Sequence, residues 1–323
     1  NEVNVNLITH SSDLCPMSCQ DFFHSVEFFK ALENTPGMAP CMAVAVTREG
    51  EVMGHLLAVI VTRRWTFPPF AIKYGRVYGE GEYLPKADKA IVFGLLLKAV
   101  TRKFKHELCL FAEFSEIGKK MFGYRQFRQC GYVPIPWQEI HNSLHSMAPD
   151  QRLTAQQLKA IADAESQGVR VRPCESDDER EAYVRLLRNY FLLKGRRHIP
   201  DKRLFSEIEH SGHATNLVTT YKGHIIGGCT LVFSRGDAFL WFTAARRKRF
   251  HFQHPALMTV YGALRYAHVA GYAHLRFLDA GLPFRNPYRE FILSFGGKPT
   301  AKYRWFQLPL PLINKIIRWR YGE

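Results

Sequence analysis

Acidic residues are scarce in this chain: 29 Asp and Glu stand against 44 Lys and Arg in 323 residues, a formal net charge of +15. That shortage favours an anionic partner, whether RNA, a nucleotide-linked substrate or an acidic membrane face, although a well-solvated basic surface satisfies the same charge. Cysteine is sparse and unpatterned. The seven (Cys15, Cys19, Cys41, Cys109, Cys130, Cys174 and Cys229) contain no CxxC pair. Runs such as LCLFAEF and GGCTLVF read as buried free thiols, which excludes a disulfide scaffold and fits a reducing cytoplasm. Cys15 and Cys19 in CPMSC have no His or Cys group nearby to complete a metal site. No apolar run approaches the roughly 20 residues that span a bilayer. Asn1 at the first position is compatible with a trimmed leader, and what remains reads as cytoplasmic.

What is present is a repeat. MAVAVTREGEVMGHLLAVIV (42–61) and LVTTYKGHIIGGCTLVF (217–233) each read strand, polar turn, strand, with EG and KG as turn residues and Gly54 matching Gly227. Each hairpin is followed by a strand and a long apolar helix, 87–104 in one half and 254–271 in the other. Pro255 suits a first helical turn and Gly271 a C-terminal stop. Buried-type strands follow, ELCLFAEF and HLRFLDAG, and then the wording repeats as YRQFRQCGY from Tyr124 and YREFILSFGG from Tyr288. Between the copies, LTAQQLKAIADAESQGVRV reads as a connecting helix ending near Gly168, and Ser176 caps the next helix. A chain of this length accommodates two such α/β units.

This order of elements is that of the GNAT acyltransferase fold. With VRPCESDDEREAY, LKGRRHIPD and NPYREFILSFGGKPTAKYRW, the chain resembles the Fem family of peptidoglycan-bridge aminoacyltransferases and their FemAB-like relatives, most strongly over 168–306. The resemblance implies two tandem GNAT-like domains with mixed sheets flanked by helices. The expected layout is a first domain at 1–150, a connecting helix at 151–170, and a second domain at 171–323 holding the active cleft. It also implies that the C-terminal segment returns to the first domain. The implied chemistry is amide formation. An amine on a precursor carrying a nucleotide or lipid diphosphate attacks the acyl ester of an aminoacyl-tRNA, or an acyl-CoA or carrier thioester. A relative kept only for binding RNA or an envelope partner is the non-catalytic alternative.

Candidate residues follow, each with two readings. In RVYGEG, Arg76, Gly79 and Gly81 have the spacing of a coenzyme A pyrophosphate loop, or form a turn in which glycine permits positive φ. The second copy, AARRKRFHFQHP, lacks those glycines. The resemblance assigns precursor diphosphate to the loop holding Lys194, Arg196, Arg197 and His198; a solvated basic turn is the alternative. Trp241 and Phe242 either meet the precursor or pack in the core. Arg246, Arg247, Lys248, Arg249, His251 and His254, interleaved with Phe250 and Phe252, suit an anionic carrier such as a tRNA acceptor stem, or a wet loop. Asp279 ends a strand where a carboxylate takes a proton from the amine or caps a turn. Tyr288 and Arg289 follow, echoed by Tyr124 and Arg125, and Arg304 joins the expected substrate contacts. Family members show Phe-Lys where this chain has Phe291-Ile292; Lys298 is the nearest replacement. The tail LPLPLINKIIRWRYGE, with Lys315, Arg318 and Arg320, either touches an anionic membrane or packs back on the fold.

Overall fold

The computed structural model describes residues 3–17, 19–64, 68, 70–192, 197–278 and 287–308. In chain order, β1 (Val3–Ile8), α1 (Val26–Glu33), β2 (Met38–Thr47), β3 (Val52–Arg64), β4 (Ala71–Tyr78), β5 (Glu82–Tyr83), α2 (Lys89–His106), β6 (Ala112–Ser115) and α3 (Tyr124–Gln129) come first. Next are β7 (Val133–Ser143), α4 (Ala155–Ser166), β8 (Arg170–Pro173), α5 (Asp177–Leu192), α6 (Lys202–His210), β9 (Ala214–Tyr221), β10 (His224–Ser234) and β11 (Asp237–Ala245). α7 (Pro255–Val269), β12 (His274–Phe277), α8 (Pro287–Leu293) and β13 (Lys298–Gln307) complete the series.

Two compact units result. The first comprises Asn1–Trp137 and the described residues from Ala301 onward, and the second Gln138–Thr300. The division therefore falls earlier than the expected boundary at 150, and α4 lies inside the second unit rather than between domains. The chain crosses within a strand, β7, so no Gly- or Pro-rich linker marks the place. In the first unit β1, β2, β3 and β4 pair antiparallel in that order, β4 pairs parallel with β6, and β13 closes the sheet antiparallel to β6. In the second, β8, β9, β10 and β11 are antiparallel, β11 is parallel to β12, and β7 closes antiparallel to β12. Each sheet is thus completed by a strand from the other half of the sequence.

Local chemistry explains the elements. Lys222 and Gly223 both have positive φ (46° and 75°), and Tyr221 faces His224 across them, the geometry of a two-residue hairpin turn. Asp88 accepts from the amides of Ala90 and Ile91 to start α2, whose last turn carries Lys103, Lys105 and His106 against the negative helix end. A capping box of Thr154 and Gln157 starts α4, and Ser176 Oγ accepts from Glu179 N (3.3 Å) ahead of α5. In the first core, Phe93, Leu96, Leu97, Val100 and Phe104 of α2 pack on the sheet with Phe114 and Trp305. In the second, Met258, Ala263, Leu264 and Ala267 of α7 pack on Cys229, Leu231, Leu240 and Phe277. Burying such rows supplies the main driving force. Gly54 and Gly227 match in cause as well as place: a Cβ would come within 2.8 Å of Glu82 O at one and 2.5 Å of Thr259 Oγ1 at the other.

Candidate functional site

Both units place a parallel strand pair at the middle of the sheet, where an α/β protein delivers side chains to a ligand. In the second unit that pair is short. Ala238, Phe239 and Leu240 face Leu275, Arg276 and Phe277, Leu278 N still reaches Leu240 O (3.3 Å), and β11 then runs on to Ala245. A bulge coincides with the end of the ladder. On the β10 side Leu231 faces Leu240 but Thr230 faces Phe242, so Trp241 is an extra residue. A bulge bends the strand and breaks its alternation. Trp241 and Phe242, both buried, consequently have their rings side by side, with centroids 5.1 Å apart.

The bulge has a buried polar anchor. Thr230 Oγ1 donates to Asn216 Oδ1 (2.9 Å), which leaves the Tyr183 hydroxyl to donate to Thr230 Oγ1 (3.0 Å) and toward Phe242 O (3.4 Å). Burial pushes the Tyr183 hydroxyl well above the usual phenol range, so it stays protonated as a donor. Gly228 makes room for that ring, because a Cβ there would lie 2.6 Å from it. Sequence reasoning missed this anchor and the bulge. The available signal was the loss of alternation in AFLWFTAA, where two large rings are adjacent in a strand.

Cations gather at the end of β11. The Arg197 guanidinium stacks 4.2 Å from the centroid of Phe242, which also packs against Phe205. Arg246, Arg247, Lys248 and Arg249 form an exposed turn after the strand, held by Arg246 N to Ile226 O (2.8 Å) and Phe250 N to Arg246 O (3.2 Å). Arg247 lies over Phe291 of α8 at 4.8 Å, and Arg249 over Phe250 at 5.6 Å. Guanidinium groups held on rings are oriented at little entropic cost. His251 belongs to a short 3-10 turn, and His254 follows it in the left-handed conformation that opens α7. Tyr288 and Arg289 lie half-buried on α8, where Tyr288 packs on the second core and Arg289 donates to Gln138 Oε1. Ile292 is fully buried in that core, so its helix face has no use for a charge. Lys298 is exposed at the start of β13. His198 is half-buried beside Arg197 in the loop before α6. Lys194, Arg196 and Asp279 lie outside the described residues, as do Lys315, Arg318 and Arg320.

Four expected residues stand in the first unit, apart from this group. Arg304 is buried, 3.0 Å from Glu113 and stacked 3.9 Å over Trp137. Arg76 pairs with Glu113 (3.3 Å). Gly79 and Gly81 have φ near 90°, and their amides go to Ser115 O (2.7 Å) and His24 Nε2 (3.0 Å). Glu80 between them accepts from Lys89 Nζ (2.6 Å) and Gly118 N (3.3 Å). Those groups are engaged with the protein itself. Among the described residues no group of three His, Cys, Asp or Glu is placed to hold a metal ion, and no helix is long and apolar enough to cross a membrane.

A family model described as an acetyltransferase (GNAT) domain matches residues 154–286. No curated protein matches the chain. Among solved structures, a tandem GNAT protein from the clavulanic acid biosynthesis pathway superposes with a TM-score of 0.58 at 11% identity, covering 95% of this chain and 98% of that one. FemX gives 0.57 at 11% identity, over 88% and 90%. The C-terminal domain of a putative lysylphosphatidylglycerol synthetase from Agrobacterium fabrum gives 0.57 at 11%, over 93% and 92%. At such identities the likeness is one of fold: this is an α/β chain of two tandem GNAT-like units.

Proposed function

We propose that the chain is an N-acyltransferase that works at the C-terminal ends of β11 and β12 in the second unit. The observation that carries this reading is the parallel ladder that ends at Leu240 and Phe277 beside the Trp241 bulge. Among the described residues the last residues of β11 lie beyond that ladder, and the bulge sets their side chains in the other phase. The cations at the same end, Arg197 on Phe242 and the turn 246–249, support a phosphate-bearing substrate. In the reaction an amine attacks an activated acyl carbon. The amine loses a proton, a tetrahedral oxyanion forms, and the alcohol or thiol of the donor leaves. Asp279 is the proton acceptor in this proposal, with Tyr288 and Lys298 as further catalytic candidates. Lys194, Arg196, Arg197, His198, Trp241 and Arg246 hold the acceptor.

The finer reading is aminoacyl transfer from an aminoacyl-tRNA to an amine on a nucleotide- or lipid-diphosphate-linked envelope precursor. The similarity to FemX, and to a protein whose name joins lysine to phosphatidylglycerol, supports an anionic acceptor. Acyl-coenzyme A is the second donor, favoured by the acetyltransferase description of the matching model. Mass spectrometry with both donor classes and amine acceptors tests the proposal. An amide product is expected, and D279N should lower kcat about 10²-fold or more with donor binding retained. No amide from either donor class would leave a binding protein in its place.

A further inference from the structure

The two units carry the same ion pair, buried in the first and partly buried in the second, with its signs reversed. In the first, the middle strand β6 holds the acid: Glu113 pairs with Arg304 on the closing strand β13 (3.0 Å) and with Arg76 on β4 (3.3 Å). Arg304 also faces Glu116 at 3.8 Å. In the second, the middle strand β12 holds the cation. Arg276 pairs with Glu139 on the closing strand β7 (3.0 Å) and with Asp237 on β11 (3.8 Å). His141 and His274 hydrogen-bond to Glu139 and Asp237, each at 2.9 Å.

The positions are equivalent. Gly131 and Gly296, with φ of 84° and 81°, precede β7 and β13, and Pro134 and Pro299 follow at the same spacing. Aligned in this way, Glu139 coincides with Arg304. The registers agree: His141 opposite Arg276 matches Phe306 opposite Glu113, and Ile140 opposite Phe277 matches Trp305 opposite Phe114. A closing strand returned to its own half would set Glu139 beside Glu113 and Glu116, and Arg304 beside Arg276. Buried charges without opposite partners are strongly disfavoured, and like charges in contact more so.

We infer that this sign reversal selects which closing strand completes which unit, so that the exchange of β7 and β13 is written in four side chains, the buried Glu113, Glu139 and Arg304 and the partly buried Arg276. The alternative, each half closing on its own strand, satisfies the same backbone hydrogen bonds and presents the same alternation to the core, and the charges are what it sets in conflict. Ile140 and Trp305 differ in size, and packing therefore contributes; a test that changes charge alone isolates the electrostatic part.

The test uses a background carrying S143C, H274C and F111C, refolded from urea and oxidised, with disulfides assigned by peptide mass mapping. Ser143 lies opposite His274 in the β7–β12 register. Phe111 is the equivalent position in the first half, so a 143–111 bond reports a strand closed on its own half. Native charges should give the 143–274 bond. E139Q/R304Q removes both signs yet leaves Glu113 with Arg76 and Arg276 with Asp237, while Glu116, which faces Arg304, keeps the amide of the new glutamine as a donor, so the fold is expected to persist. In that variant the 143–111 bond should appear at the expense of 143–274, and E139R/R304E should make it the main product. Mapping the variants as purified from cells gives the same reading should refolding fail. If E139Q/R304Q forms the 143–274 bond alone, as the native charges do, charge does not choose the strand and the inference is overturned.

Discussion

In the first unit the ladder between β4 and β6 runs through Gly75–Ala112, Arg76–Glu113, Val77–Phe114 and Tyr78–Ser115, and Gly79 N extends it by bonding Ser115 O at 2.7 Å. The antiparallel pairing of β4 with β3 is regular along its length. In the second unit the corresponding ladder runs, among the described residues, from Ala238–Leu275 to Leu240–Phe277, and the pairing of β11 with β10 slips by one residue at the same point. One module therefore exists in two states. Where every residue keeps phase, the parallel pair runs on from Gly75 to Tyr78 with one further backbone bond beyond it. Where one residue is inserted, β11 changes phase against β10 at Trp241. This difference, more than any single side chain, is the reason to look for chemistry in the second unit.

The strongest way to break that comparison is to remove the inserted residue. Deleting Trp241 restores the phase of β11, turns Phe242 toward the opposite face and removes a buried ring. The expected loss is about 3–5 kcal/mol of stability, together with all transfer activity. Urea unfolding and the amide-forming assay read the two effects. Full activity in the deletion variant would show that the bulge does not create the site.

Much of this architecture was legible in the sequence. The helices at 87–104 and 254–271 appear within two residues of their expected ends and the hairpins at 42–61 and 217–233 within four, because apolar periodicity and turn glycines are local signals. The exchange of closing strands was not legible. β7 and β13 read alike as strands, and the charges that differ between them, Glu139 and Arg304, face partners remote in sequence. Arg304 itself was expected at the substrate, since an arginine in KYRW carries no local sign of the two acids it faces. The rings beneath Arg197 and Arg247 come from β11 and α8, too distant in sequence for spacing to reveal.

A second contrast lies within the first unit, between two glycines of similar φ. At Gly81 (φ 89°) a Cβ would stand 2.5 Å from His55 O, whereas at Gly50 (φ 86°) nothing lies within 4 Å. G81A must therefore pay for both backbone strain and a clash with main chain that has nowhere to move, about 2–4 kcal/mol. G50A meets the conformational penalty alone, about 1 kcal/mol. Thermal or urea midpoints of the two variants give the ratio. Equal losses would mean that the RVYGEG turn is looser than its packing on His24 and His55 indicates, and would weaken the picture of a sealed first unit.

The smallest effect distinguishes the units by pH. His55 is 3% exposed in the first unit, with Nε2 3.1 Å from His24 O. Burial holds its pKa below the ordinary 6.5, against the smaller opposing pull of the His24 carbonyl, Glu82 and Asp21. A base whose folded pKa is depressed binds its proton more readily when unfolded. The stability this confers is fully present above pH 6.5 and is lost as pH falls toward the folded value. For one proton the slope cannot exceed about 1.4 kcal/mol per pH unit. The lowered carboxyls Glu33, Glu107, Glu179 and Glu181 begin to cost stability only as pH nears their ordinary value of 4.5, so the upper part of this window belongs to His55. The unfolding free energy should therefore decline between pH 7 and 5 in the native protein and less steeply in H55Q. Identical slopes would mean that His55 takes up its proton in place, and the closed end of the first unit would then admit water to a degree its packing does not suggest.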